Sequence, residues 1–380
     1  MFELTNEQKL LVKMVREFAE TELDPIADEV DKEGRIPEST YKQMGELGLL
    51  GLNVPKEYGG AGMSDVNKVL AIIEVAKHCA STAEMFSVQL LVNYIINTHG
   101  NEEQKKKYLG MVREGHVGAF ALTEPAAGTD AGGMETTAVK EGDYWVLNGS
   151  KVFISNMGPH EGAFAIVFAL TDKKKKTHGG VTAFLVDRGT PGFTLGKLED
   201  KMGIRGAAVS ELIFQDCKVP ESQVLGEVGF GFHVAMSGLD SGRIGIASQA
   251  VGEAKGAFEE ALNYSKQRSQ FGRPISKNQG LQWYLAEMAT KIEAAELLAL
   301  KAADLRDQGD ENSGKNCSMA KLYAAEMANW VAGKAVQIHG GYGFMTDYKV
   351  ERIYRDARIL TIYEGTSEVQ KIVISRALLK

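Results

Sequence analysis

The sequence predicts a mainly helical protein with a β domain in its middle. Three observations predict it. Apolar residues recur at helical spacing up to about Gly118. Residues 119–231 lose that period and read as short strand-like runs between turn residues. From Phe232 the helical period returns in long, alanine-rich segments. The expected domains are therefore 1–118 (helical), 119–231 (β) and 232–380 (helical). A chain of 380 residues exceeds one simple core, which agrees with several domains.

The elements follow in order. Thr5 and Gln8 have capping-box spacing, and Leu11, Met14, Val15 and Phe18 fall on one helical face. A second helix is expected from Glu38 to Leu47, stopped by the glycines at 48 and 51, and a loop at Pro55 to Gly62. Two more helices are expected over Asp65–Ala80 and Thr82–Thr98, with the break near Ser81, and another capped by Asn101. In the β region, Gly118–Leu122 is strand-like. Asn148-Gly149 inside Tyr144–Ser155 is a strong hairpin signal. Further runs are Ala163–Leu170, Val181–Val186, Phe193–Leu195 and Ser210–Phe214. Ile244–Gln267, Asn278–Gln308 and Gly314–His339 are longer than the usual helix and suggest a bundle, often an oligomer core.

Composition excludes several classes. Net charge is −7, against the basic balance of nucleic-acid binders. The one basic cluster, Lys173–Lys176, sits beside Asp172 and Gly179-Gly180 and reads as a solvated turn. Cys79, Cys217 and Cys317 lie far apart, which fits neither a disulfide framework nor metal-ligand spacing and points to a reducing cytoplasm. The seven histidines form no HExxH-type pair, so no metal is expected. No apolar run reaches membrane-spanning length, and residues 1–5 do not open a secretory signal. Gly226, Gly229 and Gly231 have the wrong spacing for a dinucleotide turn; phosphate-loop and Gly-x-Ser-x-Gly patterns are absent.

Three clusters carry chemistry. Ala121 to Asp130, at a strand end, offers hydroxyls and bare backbone amides for a ring edge or phosphate oxygens, or is an ordinary turn. Gln337 to Phe344 closes a long helix with three glycines, where one would suffice as a C-cap. Leu360 to Glu368 leads from apolar residues to Glu364, then Gly365, then a helix whose cap is expected at Ser367 with Gln370. A carboxylate there is either a solvated loop residue or a buried base with a raised pKa.

Together these clusters resemble the acyl-CoA dehydrogenase family across essentially the whole chain, closest to its short-chain (butyryl-CoA) branch. Thr123-Glu124-Pro125 with Gly128-Thr129-Asp130 resembles one family motif. Gln337–Gly343 with Asp347, Arg352 and Asp356 resembles a second, and Tyr363-Glu364-Gly365-Thr366 the motif carrying the base. The resemblance implies an N-terminal helical domain, a β-barrel-like middle domain, a C-terminal four-helix bundle and bound FAD. It implies that Phe120, Leu122, Thr123, Gly128 and Thr129 line the flavin, and that Phe153-Ile154-Ser155 covers its other side. There the family usually has Trp-Ile-Thr. Arg268, Gln279, Gln337, Gly340 and Gly341 match positions reaching FAD across a subunit interface; Thr366 and Glu368 match further FAD contacts. Thr129, Asp240, Arg243 and Gly365 match the acyl-CoA side. Glu364 is the implied base; the other family position for it, two residues after Asp240, is Gly242 here.

The activity so implied is α,β-dehydrogenation of a short-chain acyl-CoA by a cytoplasmic homotetramer, with electrons passed to electron-transfer flavoprotein. An alternative is an enoyl-CoA or aryl-acryloyl-CoA reductase in complex with that partner; an oxygen-reducing oxidase or a non-catalytic flavin-binding structural protein are others. The pocket floor is expected from Glu84, Met85, Phe86, Gln89 and Asn93, with Glu84 itself pointing to solvent. Ala83 stands where glutaryl-CoA dehydrogenases carry an arginine, which disfavours a dicarboxylic substrate.

Overall fold

The computed structural model describes residues 3–379; Met1, Phe2 and Lys380, at the outer ends of the first and third expected domains, lie outside it. The first helices are α1 (Asn6–Phe18), α2 (Ala27–Glu33), α3 (Glu38–Glu46), α4 (Asp65–His78), α5 (Ala80–His99) and α6 (Glu102–Gln104). The Thr5–Gln8 capping box opens α1, and Leu11, Val15 and Phe18 are buried. A second box, Asn101 with Gln104, opens α6. The break between α4 and α5 falls at Cys79, whose backbone is extended, and not at Ser81. Almost the whole of both helices is buried, so neither shows a clean amphipathic stripe.

The β domain holds β1 (Gly118–Ala121), β2 (Thr137–Glu141), β3 (Tyr144–Ser155), β4 (Phe164–Leu170), β5 (Val181–Asp187), β6 (Phe193–Leu198), β7 (Val209–Pro220) and β8 (Val224–Leu225). They form one sheet in the order β6-β7-β3-β2-β4-β5-β8, with β1 parallel to β4. The expected hairpin at Asn148-Gly149 does not exist. That dipeptide lies inside β3, where the register against β7 slips between Leu147 and Gly149. Gly149 is needed for close approach: an added Cβ would meet Thr136 Oγ1 at 2.5 Å. The turn lies earlier, at Gly142-Asp143 between β2 and β3. Only Ala138 of β2 is fully buried, which hides this strand from a hydrophobic scan.

The C-terminal part holds α7 (Gly231–Gln267), the small hairpin β9 (Ser269–Gln270) and β10 (Arg273–Pro274), α8 (Gln279–Asp307), α9 (Ser313–His339), α10 (Lys349–Ala357) and α11 (Ser367–Leu378). Helix α7 begins well before Ile244. Its first turns contain Gly238 and Gly242, each costing about 1 kcal/mol against alanine in a helix. Packing offsets that cost: an added Cβ would lie 2.5 Å from Ile95 at Gly238 and 2.8 Å from Leu91 at Gly242. The glycines let α5 lie against α7. The N-terminal helices share one apolar core with one face of the sheet, buried residues of the sheet's other face form a second, and the C-terminal helices form a third with α4.

Candidate active site

Glu364 follows a short 3-10 turn (Arg358–Thr361) and precedes α11. Glu364 and Gly365 both have positive φ, 52° and 88°, so two successive left-handed residues redirect the chain. For glutamate this is an uncommon, strained conformation that surrounding contacts must hold. Lys321 Nζ donates to Gly365 O at 2.7 Å, and Gln370 Nε2 donates to Glu364 O at 3.1 Å and Gly365 O at 2.8 Å. The cap of α11 is Thr366, whose hydroxyl accepts from Val369 N; the expected Ser367 is inside the helix.

The Glu364 carboxylate turns inward. Its Oε2 is buried and has no hydrogen-bond partner. It faces Gly242, where an added Cβ would lie 2.5 Å away. Burial pushes Glu364 up to about 7, against the pull of Arg243, Lys321 and Lys68; Glu84 adds to the rise. The adjoining Tyr363 hydroxyl donates to Gln249 Oε1 at 2.8 Å, fixing the segment to α7.

Charged side chains surround this carboxylate. Arg243 is buried and paired with Asp240 at 2.6 Å. Lys68, also buried, donates to Ser241 Oγ at 2.7 Å and lies 3.1 Å from Asp65. Glu84 does not point to solvent: it is 1% exposed, and its Oε2 has no partner. Burial pushes it up to about 7. The first turn of α5 is not at the surface, because its residues from Ala80 to Ser87 are all buried. Gln89 and Asn93 are already engaged elsewhere. Gln89 bridges Asn93 and the Gly118 amide, and Asn93 donates to Leu50 O at 2.8 Å. Ser87 and Leu91, not Gln89 and Asn93, face the glycines of α7.

The end of β1 carries the second group. Thr123 O accepts from Val152 N at 2.9 Å, joining the end of β1 to β3. Glu124, which lies inside the motif, is a strut. It pairs with Lys151 at 2.6 Å in a buried ion pair and accepts from the amides of Glu135 and Thr136. Lys151 Nζ also donates to Leu122 O at 3.1 Å. One buried pair thus ties Leu122-Thr123 to the segment Val152–Ser155. Sequence reasoning missed Lys151; a lysine directly before the apolar run Val152-Phe153-Ile154 was the only signal. Phe153 has φ 58° and is 65% exposed, Ile154 is buried, and Gly128 and Thr129 are exposed. Phe120 is half-buried, and an added Cβ on Gly238 would lie 3.8 Å from its ring. The β1 end and Glu364 therefore converge on adjacent turns of α7.

The third group stands apart. Arg268, Gly340 and Gly341 line a cavity of about 510 Å³ with Tyr264, His339 and Tyr342. The Arg268 guanidinium lies 5.4 Å from the Tyr342 ring centre, and His339 stacks on Tyr264 at 4.1 Å. Gln279 and Gln337 are exposed and do not line it. Gly340 follows α9, while Lys321, on the same helix, touches Gly365. At 1.5 Å per residue they are roughly 28 Å apart. Within one chain this cavity and the Glu364 turn are too distant to hold one small group. Thr366 is occupied as a cap, and Glu368 is exposed.

Comparison with known proteins agrees with this arrangement. Residues 5–116, 119–217 and 229–379 match, in turn, the N-terminal, middle and C-terminal domain models of acyl-CoA dehydrogenase. The chain is 50% identical to a short-chain-specific acyl-CoA dehydrogenase of Clostridium acetobutylicum, covering 98% of each sequence. It is 47% identical to the caffeyl-CoA reductase–Etf complex subunit CarC of Acetobacterium woodii, covering 99% of each. The solved butyryl-CoA dehydrogenase of Megasphaera elsdenii superposes with a TM-score of 0.96 at 45% identity, covering 100% of both chains.

Proposed function

Because the chain belongs to the acyl-CoA dehydrogenase family, we propose that it removes the α and β hydrogens of a short-chain acyl-CoA, giving the trans-2-enoyl thioester. The observation that carries this reading is the Glu364 carboxylate: inward-facing, unpartnered, and held near 7. A base that takes a weakly acidic α-proton works best with its pKa near the working pH. Glu364 receives that proton on its free Oε2. The thioester oxygen gains charge as the proton leaves, so a fixed donor is needed. The Glu364 backbone amide is our candidate donor. Lys321 and Gln370 tie down the turn that carries it. Asp240, Arg243 and Gly365 border the thioester and CoA in this reading, with Thr129 further along the CoA.

The residues fit FAD. Phe153 offers an exposed aromatic face beside the turn at Thr123–Thr129. Gly340 and Gly341 present open backbone, where an added Cβ meets nothing within 4 Å, next to the Arg268 guanidinium. That combination suits a pyrophosphate. Bound FAD supplies the hydride-accepting ring. Phe120, Leu122, Thr123, Gly128, Phe153, Ile154 and Ser155 are proposed to hold that ring. Arg268, Gln279, Gln337, Gly340 and Gly341 are proposed to reach a neighbouring subunit's FAD, with Thr366 and Glu368 as further contacts. The distance along α9 supports the cross-subunit assignment, and with it a homotetramer built as a dimer of dimers. Electron-transfer flavoprotein is the proposed electron partner, supported by the Etf complex of the Acetobacterium relative. Three buried cysteines without a disulfide support a cytoplasmic site. The proposed domains are 1–118, 119–231 and 232–380.

Glu84 favours a second reading. A buried carboxyl near the base whose Oε2 has no partner suits an acyl group with a polar substituent, as in aryl-acryloyl-CoA reduction. The test is anaerobic flavin reduction across propionyl- to octanoyl-CoA, with branched and aryl-propionyl thioesters included. The primary reading expects kcat/KM to peak at about four carbons and fall at about 1–3 kcal/mol per misfitted methylene. A maximum at octanoyl-CoA overturns it, and a maximum at an aryl thioester selects the second reading.

A further inference from the structure

Lys321 is an unusual residue for its place. It lies about a third of the way along α9, is fully buried, and sits among the buried alanines Ala320, Ala324 and Ala325. A buried ammonium is unfavourable unless a partner compensates it. Its hydrogen bond goes to a neutral group, Gly365 O, at 2.7 Å. Among the described residues it has no carboxylate within salt-bridge distance.

The other cations near Glu364 differ in this respect. Arg243, from α7, is paired with Asp240 at 2.6 Å. Lys68, from α4, lies 3.1 Å from Asp65. Much of each charge is therefore neutralised locally. On Lys321 the acidic influences are Glu364 and the more weakly felt Glu368, and Arg243 acts against them. Around Glu364 itself, Glu84 from α5 is the opposing charge. Arg243 has the larger pull on Glu364 but is shared with Asp240; Lys321 comes next, and among the described residues it has no ion-pair partner to absorb its charge.

We infer that Lys321 is the positioning residue of the base: it pins the left-handed Glu364-Gly365 turn through Gly365 O, and its charge keeps the Glu364 carboxylate ionised. This rests on Glu364 being the base. Burial lowers Lys321 to about 8, so the ammonium is still present where Glu364, near 7, must be ionised. Above that range the charge is lost, and support for the carboxylate goes with it.

The mechanical and electrostatic roles are separable. Gln370 Nε2 bonds the same Gly365 carbonyl at 2.8 Å without carrying charge. Lys321→Gln keeps a donor and removes the charge, Lys321→Arg keeps the charge, and Gln370→Leu removes hydrogen bonds alone. The experiment is the rate of anaerobic flavin reduction by butyryl-CoA as a function of pH, in the holoenzyme of each variant. A second readout is the pH midpoint of the Glu364 carboxyl band, taken by infrared difference against Glu364→Gln. Lys321→Gln should move both midpoints up by roughly one pH unit, the scale of removing a nearby opposite charge. Lys321→Arg and Gln370→Leu should leave them in place, whatever happens to the maximal rate. Lys321→Gln with wild-type midpoints overturns the inference while leaving the base in place. Glu364→Gln with a near wild-type rate overturns the base assignment itself, so the two failures are distinguishable.

Discussion

Glu364→Gln should make the protein more stable while removing its chemistry. A glutamate in water titrates at 4.5, and Glu364 is raised to about 7 by burial. Its folded-state value therefore lies above its unfolded one. The favourable contribution is complete below about pH 4.5 and is lost as pH rises through about 7. That difference corresponds to about 3 kcal/mol at 1.36 kcal/mol per unit, as an upper figure. Glutamine has no charge to bury, but it removes the main acidic influence on the buried Lys321 ammonium, which returns part of the gain. The expected stabilisation is about 1–2 kcal/mol at pH 8, vanishing near pH 4.5. Urea unfolding of both proteins at the two pH values measures it. Flavin content must be matched, because bound cofactor itself raises apparent stability. The same variant should lose about two or more orders of magnitude in flavin reduction. In the wild type that rate should rise with pH through about 7, since the ionised carboxylate is the active form. A stability difference independent of pH, or a Gln variant less stable at pH 8, would refute the argument that Glu364 is held ionised against burial.

Three further outcomes are expected. Lys151→Met strands the buried Glu124 carboxylate and should cost roughly 3–5 kcal/mol, with reduced flavin retention on purification; unchanged melting and flavin content would remove the strut from the argument. Gly242→Ala places a Cβ 2.5 Å from Glu364 Oε2 and should displace the carboxylate, lowering kcat by about 100-fold with flavin content unchanged. Rapid-mixing kinetics decide this, and a wild-type rate would mean the base does not work from its position beside Gly242. Arg268→Ala should purify with less flavin and a lower apparent melting temperature, read by absorbance and thermal unfolding; equal flavin content would separate Arg268 from the cofactor.

Some local chemistry that depends on residues three or four apart was legible. The capping box at Thr5–Gln8 and the cap at Asn101 both form, because cap and partner lie within one turn; that Gln104 completes a second box is seen only in the structure. Finer choices were not legible. Ser367 and Thr366 are both competent caps, and the strained turn at Glu364-Gly365 selects Thr366. Asn148-Gly149 announced a residue with special backbone needs. It could not distinguish a hairpin turn from a bulge squeezed against Thr136.

The sequence by itself determined the α–β–α order, the glutamate before a helix start, and the glycine at the alternative base position. These are properties of periodicity and of neighbouring residues. The tertiary structure decided which charges are buried. Glu84, Lys151 and Lys321 read along the chain as ordinary solvated side chains, yet each is covered by elements distant in sequence. Burial is set by what packs over a residue, and the packing of α5 and α9 around the start of α7 is a long-range event. The same packing places Gly242 against Glu364 and separates the Arg268 cavity from it by roughly 28 Å along α9. A helix is too stiff to close that gap, so the parts of the site that share a motif list do not share a location within one chain.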